Sequence, residues 1–142
     1  MDQLIIRKYE TIDKKPVIDL WRTCKLLVPQ NNPLIDIEEK LNFQPDLFFV
    51  GTINNQVIAT IMVGYEGHRG WINYLAVHPR FQRNGFGSRL MDFATEKLLD
   101  FNCQKINVQV RNTNLAVISF YKSNGFKEDN VIGLGKRIRS IK

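Results

Sequence analysis

The chain has 142 residues, a size that suits one compact domain able to bury a core without disulfides or structural metal. It is 44% hydrophobic and 24% charged with a formal net charge of +6, a globular composition whose basic excess favours an anionic partner: nucleic acid, an anionic surface or a phosphorylated small molecule. Two cysteines, Cys24 and Cys103, make neither a disulfide framework nor a zinc site, and no apolar run suits a spanning helix or a signal-peptide core, so a cytoplasmic protein with no metal and no membrane span is expected.

Residues 3–9 read as a short strand. From 13 to 27, Val17, Ile18, Leu20, Trp21, Cys24 and Leu27 recur at helical spacings. Turn residues at 28–33 separate that helix from a shorter one at 35–41, which carries Asp36, Glu38 and Glu39. Residues 46–53 and 56–63 form a hairpin closed by the NNQ turn. GYEGHRG, 64–70, turns the chain into a strand at 71–77, WINYLAV, and a loop, HPRFQRNGFG, follows. The next helix, 88–101, places Leu90, Ala94, Leu98 and Phe101 on one face. A strand at 105–110 and a helix at 114–123 come next, the helix stopped by Asn124-Gly125. The tail, 126–141, reads as two short strands. Repeats and linkers are absent, so a single domain over residues 1–142 is expected. The order β-α-α-β-β-β-α-β-α-β-β predicts an α/β (α+β) fold: a mixed sheet with helices on its faces.

The loop before the third helix can hold an anion. A helix N-terminus carries unpaired amides and partial positive charge. Gly85 and Gly87 bare the backbone there, and Gln82, Arg83, Asn84, Ser88 and Arg89 add donors or charge. A tight turn before a helix explains the hexapeptide alone equally well. A P-loop fits poorly because no Lys-Ser/Thr pair follows Gly87, and a dinucleotide fingerprint fits poorly because Leu90 stands where its third glycine belongs.

LAVHPRFQRNGFGSRLM and NLAVISFYKSNGF together resemble the GNAT family of N-acetyltransferases. The first matches the family's cofactor loop through Gln82, Gly85 and Gly87. The second matches its later helix through Asn114, Tyr121, Gly125 and Phe126, with Ala116 shifted by one position. The segments LW, NNP, DIEEK and GYEGHRG also resemble small bacterial single-domain members of the YpeA type. The resemblance implies a GNAT fold, with a mostly antiparallel, splayed sheet of about seven strands and about four helices. It implies acetyl-CoA as donor, no metal, and a primary amine as acceptor, on a small molecule or a protein.

Residue by residue, it implies that the amides of Leu75, Ala76 and Val77 hold the pantetheine and that one polarises the thioester carbonyl. It implies that Gln82, Arg83, Asn84, Gly85, Phe86, Gly87 and Ser88 wrap the pyrophosphate. Arg83 stands where the family often has glycine. Tyr121 takes the family position of the general acid, a role its reference pKa of about 10 suits; the alternative is a core tyrosine bonded to a backbone carbonyl. Asn114 either meets the pantetheine region or caps its own helix. The strand 71–77 departs from the family pattern because it has no carboxylate, which leaves Glu66, with His68 beside it, as the tentative base, direct or through water. His78 reads as a loop histidine and Cys103 as a structural thiol. Two other functions stay open: an acetyl-CoA sensor without turnover, and a nucleic-acid module using Lys136, Arg137, Arg139 and Lys142, though no stacking signature accompanies that cluster. Monomer and homodimer both fit, and the acceptor is not specified.

Overall fold

The structure is a computed structural model, and it describes residues 3–139. Two compact units emerge, one through residue 108 and one from Gln109 onward.

The first unit holds a five-stranded sheet in the order β1-β2-β3-β4-β5. Its strands are β1 (Ile5–Lys8), β2 (Phe48–Ile53), β3 (Gln56–Tyr65), β4 (Gly70–Val77) and β5 (Ile106–Asn107). The first four pair antiparallel; β5 joins β4 in parallel. Asn54 and Asn55 turn β2 into β3, both at positive φ (50° and 63°), as a two-residue hairpin loop requires. All six residues of β2 are buried, as befits an inner strand covered on both faces.

Alternation along β2 sends neighbouring side chains to opposite faces. Phe48 and Val50 pack with Val17, Leu20 and Trp21 of α1 (Lys14–Thr23) and Ile37 of α2 (Pro33–Phe43). Phe49 instead meets Phe93 of α3 (Phe86–Leu99) edge to face at 4.8 Å. Helices therefore cover both faces. The apolar stripes explain them: Val17, Leu20 and Trp21 are buried along α1, and Leu90, Met91, Ala94 and Leu98 along α3. Phe101, expected on the α3 face, lies past the helix end and is 47% exposed. The Asn32 side chain caps α2 by accepting from the amides of Leu34 and Ile35, with Pro33 at the first helical position. Gly70 opens β4 where a Cβ would come within 2.6 Å of Leu98, so α3 can approach the sheet only over a glycine.

The second unit holds α4 (Leu115–Ser123). Gly125, at φ 90°, ends it, and the amides of Gly125 and Phe126 bond back to the carbonyls of Lys122 and Tyr121 at 3.1 Å each. No strand follows among the described residues. Among the described residues the two expected tail strands are therefore absent, and the sheet has five strands there rather than about seven. Gly133 and Gly135 weaken any strand there, and Val131, Ile132, Leu134 and Ile138 are exposed. Residues 140–141 of those strands, and Lys142 of the basic cluster, lie outside the described residues. Among these, no helix is long and apolar enough to cross a membrane.

Candidate active site

The site is built on β4. One edge of this strand pairs with β3 along nearly its whole length. The other edge meets β5 only at Gly70↔Ile106 and Trp71↔Asn107. From residue 72 to 77 it has no ladder partner among the described residues, so the backbone groups on that side are open to a ligand. Asn107 Oδ1 lies buried without a donor among the described residues where the ladder stops.

The β3–β4 register breaks along this free stretch. Thr60 faces Ala76 and Met62 faces Asn73, which leaves Ile61 opposite both Tyr74 and Leu75. Tyr74, the first of these two bulged residues, has φ 49°. Its environment imposes that conformation. The Thr60 hydroxyl donates to the Tyr74 carbonyl at 2.8 Å, and Trp21 Nε1 donates to the Thr60 oxygen at 2.9 Å. The Tyr74 ring stacks on Trp21 with centroids 3.8 Å apart. Its hydroxyl donates to Asp36 Oδ2 at 2.6 Å. Burial first, and Asp36 second, push this phenol well above the ordinary tyrosine range. Nothing in the sequence of 71–77 shows a positive φ at a tyrosine; the polar pair Asn73-Tyr74 inside an apolar strand is the one local sign of a bulge.

β4 runs into the glycine loop. The Gln82 side chain donates to the Val77 carbonyl at 2.8 Å, and the Asn84 side chain donates to the carbonyls of Phe81 and Gln82. These amides brace the loop rather than reach outward. Arg89 is likewise engaged, its guanidinium donating to the Leu4 carbonyl at 3.3 Å. Phe86 is buried, so it contributes only its backbone to the loop. What remains open is the helix terminus itself. Among the described residues no side chain caps α3; Gly85 stands at φ 76°, and a Cβ there would meet none of their atoms within 4 Å. The first helical bond runs from the Arg89 amide to the Gly85 carbonyl at 3.1 Å, so the amides of Phe86, Gly87 and Ser88 precede it. Arg83 is exposed and holds φ 65°, a conformation glycine adopts without strain. An uncapped terminus, a clear approach over Gly85 and a free strand edge leading to it suit a long ligand with an anionic end.

The expected base, Glu66, lies in the turn between β3 and β4. Glu66 is exposed, and its carboxylate accepts the amides of His68 and Arg69 within its own turn. Those two bonds hold it below the usual carboxylate range. Its turn joins β3 to the start of β4, and Leu75 lies about 16 Å farther along at 3.3 Å per residue. His78 Nδ1 accepts the Arg80 amide at 3.1 Å, a loop role as expected. Cys103 is buried, its thiol donating to the Lys105 carbonyl.

In the second unit, the Asn114 side chain accepts the Val117 amide at 3.3 Å and so caps α4. Tyr121 is 6% exposed and edge-on to both Phe120 and Phe126, with centroids 5.2 Å apart in each pair. Its hydroxyl bonds to no carbonyl among the described residues, as is also true of the core residue Tyr9. Burial pushes this phenol up to about 12, so it keeps its proton at neutral pH.

Comparison with known proteins covers nearly all of this architecture. Residues 15–126 match the sequence model described as the acetyltransferase (GNAT) family. A curated relative, an acetyltransferase of Yersinia enterocolitica, is 42% identical over 133 residues, covering 94% of each chain. Among solved structures, Ard1 from Thermoplasma volcanium superposes with a TM-score of 0.71 at 26% identity, over 87% of this chain and 82% of that one. PaiA N-acetyltransferase from Thermoplasma acidophilum, solved in complex with coenzyme A, reaches 0.76 at 18% identity, over 92% and 94%; at that identity it speaks for the fold alone.

Proposed function

The chain belongs to the GNAT family of acetyltransferases, and on that premise we propose that it moves the acetyl group of acetyl-CoA to a primary amine by direct attack in a ternary complex. The observation that carries this reading is the edge of β4, released by β5 after Trp71 and leading to the uncapped start of α3.

When bound, acetyl-CoA supplies an activated acetyl group and a thiolate leaving group. The amides of Leu75, Ala76 and Val77 hold its pantetheine arm, and one of them polarises the carbonyl that is attacked. Residues 82–88 receive the diphosphate through their backbone, mainly the amides of Phe86, Gly87 and Ser88, with Arg83 adding charge. Tyr121 donates a proton to the departing thiolate; its unbonded, protonated hydroxyl supports that role. Membership of the acetyltransferase family supports the choice of donor. The match over residues 15–126 crosses the division between the two units and supports reading them as one functional domain.

The acceptor is an amine on a small molecule or a protein. Two measurements test the proposal. Acetyl-CoA should raise the melting temperature, because a ligand that binds only the native state must stabilise it. The protein should also release CoA when given spermidine, a lysine-containing peptide or a peptide with a free N-terminal alanine. An unchanged melting temperature at saturating acetyl-CoA rejects the cradle; binding without CoA release from any amine indicates a sensor instead.

A further inference from the structure

Strand 71–77 has no carboxylate of its own, but the fold delivers one to it. Asp36 comes from α2, 38 residues earlier in the chain, and accepts the Tyr74 hydroxyl at 2.6 Å. We propose that Asp36, acting through the Tyr74 hydroxyl, receives the proton that the acceptor amine sheds as it attacks; this rests on the acetyltransferase reading above.

Three observations converge on this pair. Asp36 is a half-buried carboxylate with no cation within ion-pair distance among the described residues; its only partner there is Tyr74. Carboxylates withdrawn from water are ordinarily matched by a cation, as Asp13 is by Arg7 at 2.8 Å in this same unit. An unmatched one in a chain of net charge +6 leaves a local negative site where a cationic or proton-shedding group gains most.

The second observation is placement. Tyr74 occupies the bulge beside Leu75, on the stretch of β4 freed from β5. Its backbone, ring and hydroxyl are each held, by Thr60, Trp21 and Asp36. A strained φ of 49° with three separate restraints is the pattern of a residue kept in place for a task.

The third is the proton inventory. The Tyr74 hydroxyl gives its one hydrogen to Asp36, which leaves its oxygen lone pairs to accept an N–H from outside. Burial keeps the phenol protonated, so it passes a proton on rather than storing a charge. The alternative carboxylate, Glu66, is committed to the amides of its own turn.

The step balances as follows. The amine lone pair forms the N–C bond, the C–S bond breaks, and sulfur leaves with the electron pair. The nitrogen proton passes to the Tyr74 oxygen while the phenol proton passes to Asp36 Oδ2. Tyr74 ends unchanged, and Asp36 ends as a neutral acid that returns its proton to water. Timing matters, since an alkylammonium is a weaker acid than a carboxylic acid by about six pKa units. The transfer therefore accompanies bond formation, when the nitrogen becomes acidic.

The test uses two probes of nearly equal size, ethylamine and the far less basic 2,2,2-trifluoroethylamine, whose nitrogen sheds its proton with little help. Asp36→Asn and Tyr74→Phe keep side-chain shape, and thermal melts with and without acetyl-CoA confirm folding and donor binding. Each variant should lose roughly a hundredfold in kcat/KM with ethylamine but only a few-fold with trifluoroethylamine. Equal losses with both amines, or no loss, overturn the proton path and leave the acetyltransferase reading standing. No CoA release by the unmodified protein with any amine removes both. A readout independent of turnover is the ultraviolet titration of Tyr74, isolated as the difference from the corresponding Tyr74→Phe protein: Asp36→Asn should lower the pH at which Tyr74 ionises. An unmoved titration means that the Asp36–Tyr74 bond is absent in solution and sinks the inference.

Discussion

The Thr60 hydroxyl donates to the Tyr74 carbonyl at 2.8 Å, and through it a side chain with no exposed surface sets the shape of the strand edge that would hold the donor. Thr60→Val keeps the volume and removes the hydroxyl. Trp21 Nε1, fully buried, then loses its acceptor, and the bulge carbonyl loses its donor. Stability should fall by about 2–3 kcal/mol, the cost of leaving buried polar groups unpaired. The measurement is urea denaturation with Thr60→Ser beside it: restoring the hydroxyl should recover most of the stability lost in the valine variant. Equal weakening by both variants would remove the hydroxyl from the account.

That bond also marks the boundary of what local sequence reveals. Element order came through because its signals are short-range: the helical spacing of Val17, Leu20 and Trp21, the Asn54-Asn55 turn, and the Asn124-Gly125 stop. The loop at 82–88 was legible for the same reason, since a helix terminus and its glycines are neighbours in the chain. Tyr74 was not, because its positive φ depends on Thr60, 14 residues away, and Trp21, 53 residues away. Asp36 could be placed on a helix but not against β4. The side chains of Gln82, Asn84 and Arg89 donate to backbone carbonyls, partners that local sequence does not encode. The tail showed strand-like apolar residues, but a strand also needs a partner, and the described residues supply none.

Gly85→Ala and Arg83→Gly should separate backbone geometry from charge in the loop. At Gly85 a methyl group meets no atom, so the cost is the left-handed backbone at φ 76°, about 1 kcal/mol. Acetyl-CoA affinity should fall further than stability if the amides beside that methyl receive the diphosphate as proposed. At Arg83 glycine relieves φ 65° but gains freedom in the unfolded chain, so stability should change by less than about 0.5 kcal/mol. Its affinity loss should shrink as salt rises, as expected for an exposed charge. Calorimetric titration with acetyl-CoA at two ionic strengths reads both; a salt-independent loss at position 83 would mean that the side chain shapes the loop instead.

Lys40 makes stability depend on pH in an unusual direction. It sits on α2, its ammonium donating to the Val63 carbonyl and to Gln44 Oε1, and desolvation lowers it from 10.5 to about 8. Between those values the unfolded chain holds a proton that the folded chain has lost. Unfolding then takes up a proton, so stability contributed by this site rises as pH climbs from about 8 to 10.5. Lys40→Met removes the titration. The difference in melting temperature between the variant and the parent should be largest at pH 7 and shrink steadily above pH 8. A constant difference across that range would place the ammonium in water.

Tyr121→Phe is the sharpest test of the proposed acid because its structural cost is small. The hydroxyl bonds to no other group among the described residues, so its removal strands no partner and should leave stability at pH 7 nearly unchanged. Turnover should drop by roughly a hundredfold, the usual worth of a general acid, with acetyl-CoA affinity retained. The pH dependence adds a second signature. The folded phenol is raised from 10.0 to about 12, so its contribution is complete below pH 10 and is lost as pH climbs toward 12. That loss amounts to roughly 2–3 kcal/mol at 1.36 kcal/mol per unit. The phenylalanine variant lacks it and should outlast the parent above pH 11. The two outcomes check each other: alkaline tolerance shows that the phenol is buried as described, while turnover shows whether its proton is used. A variant that gains alkaline tolerance and keeps full turnover would leave Tyr121 a core residue and transfer the acid role to another group.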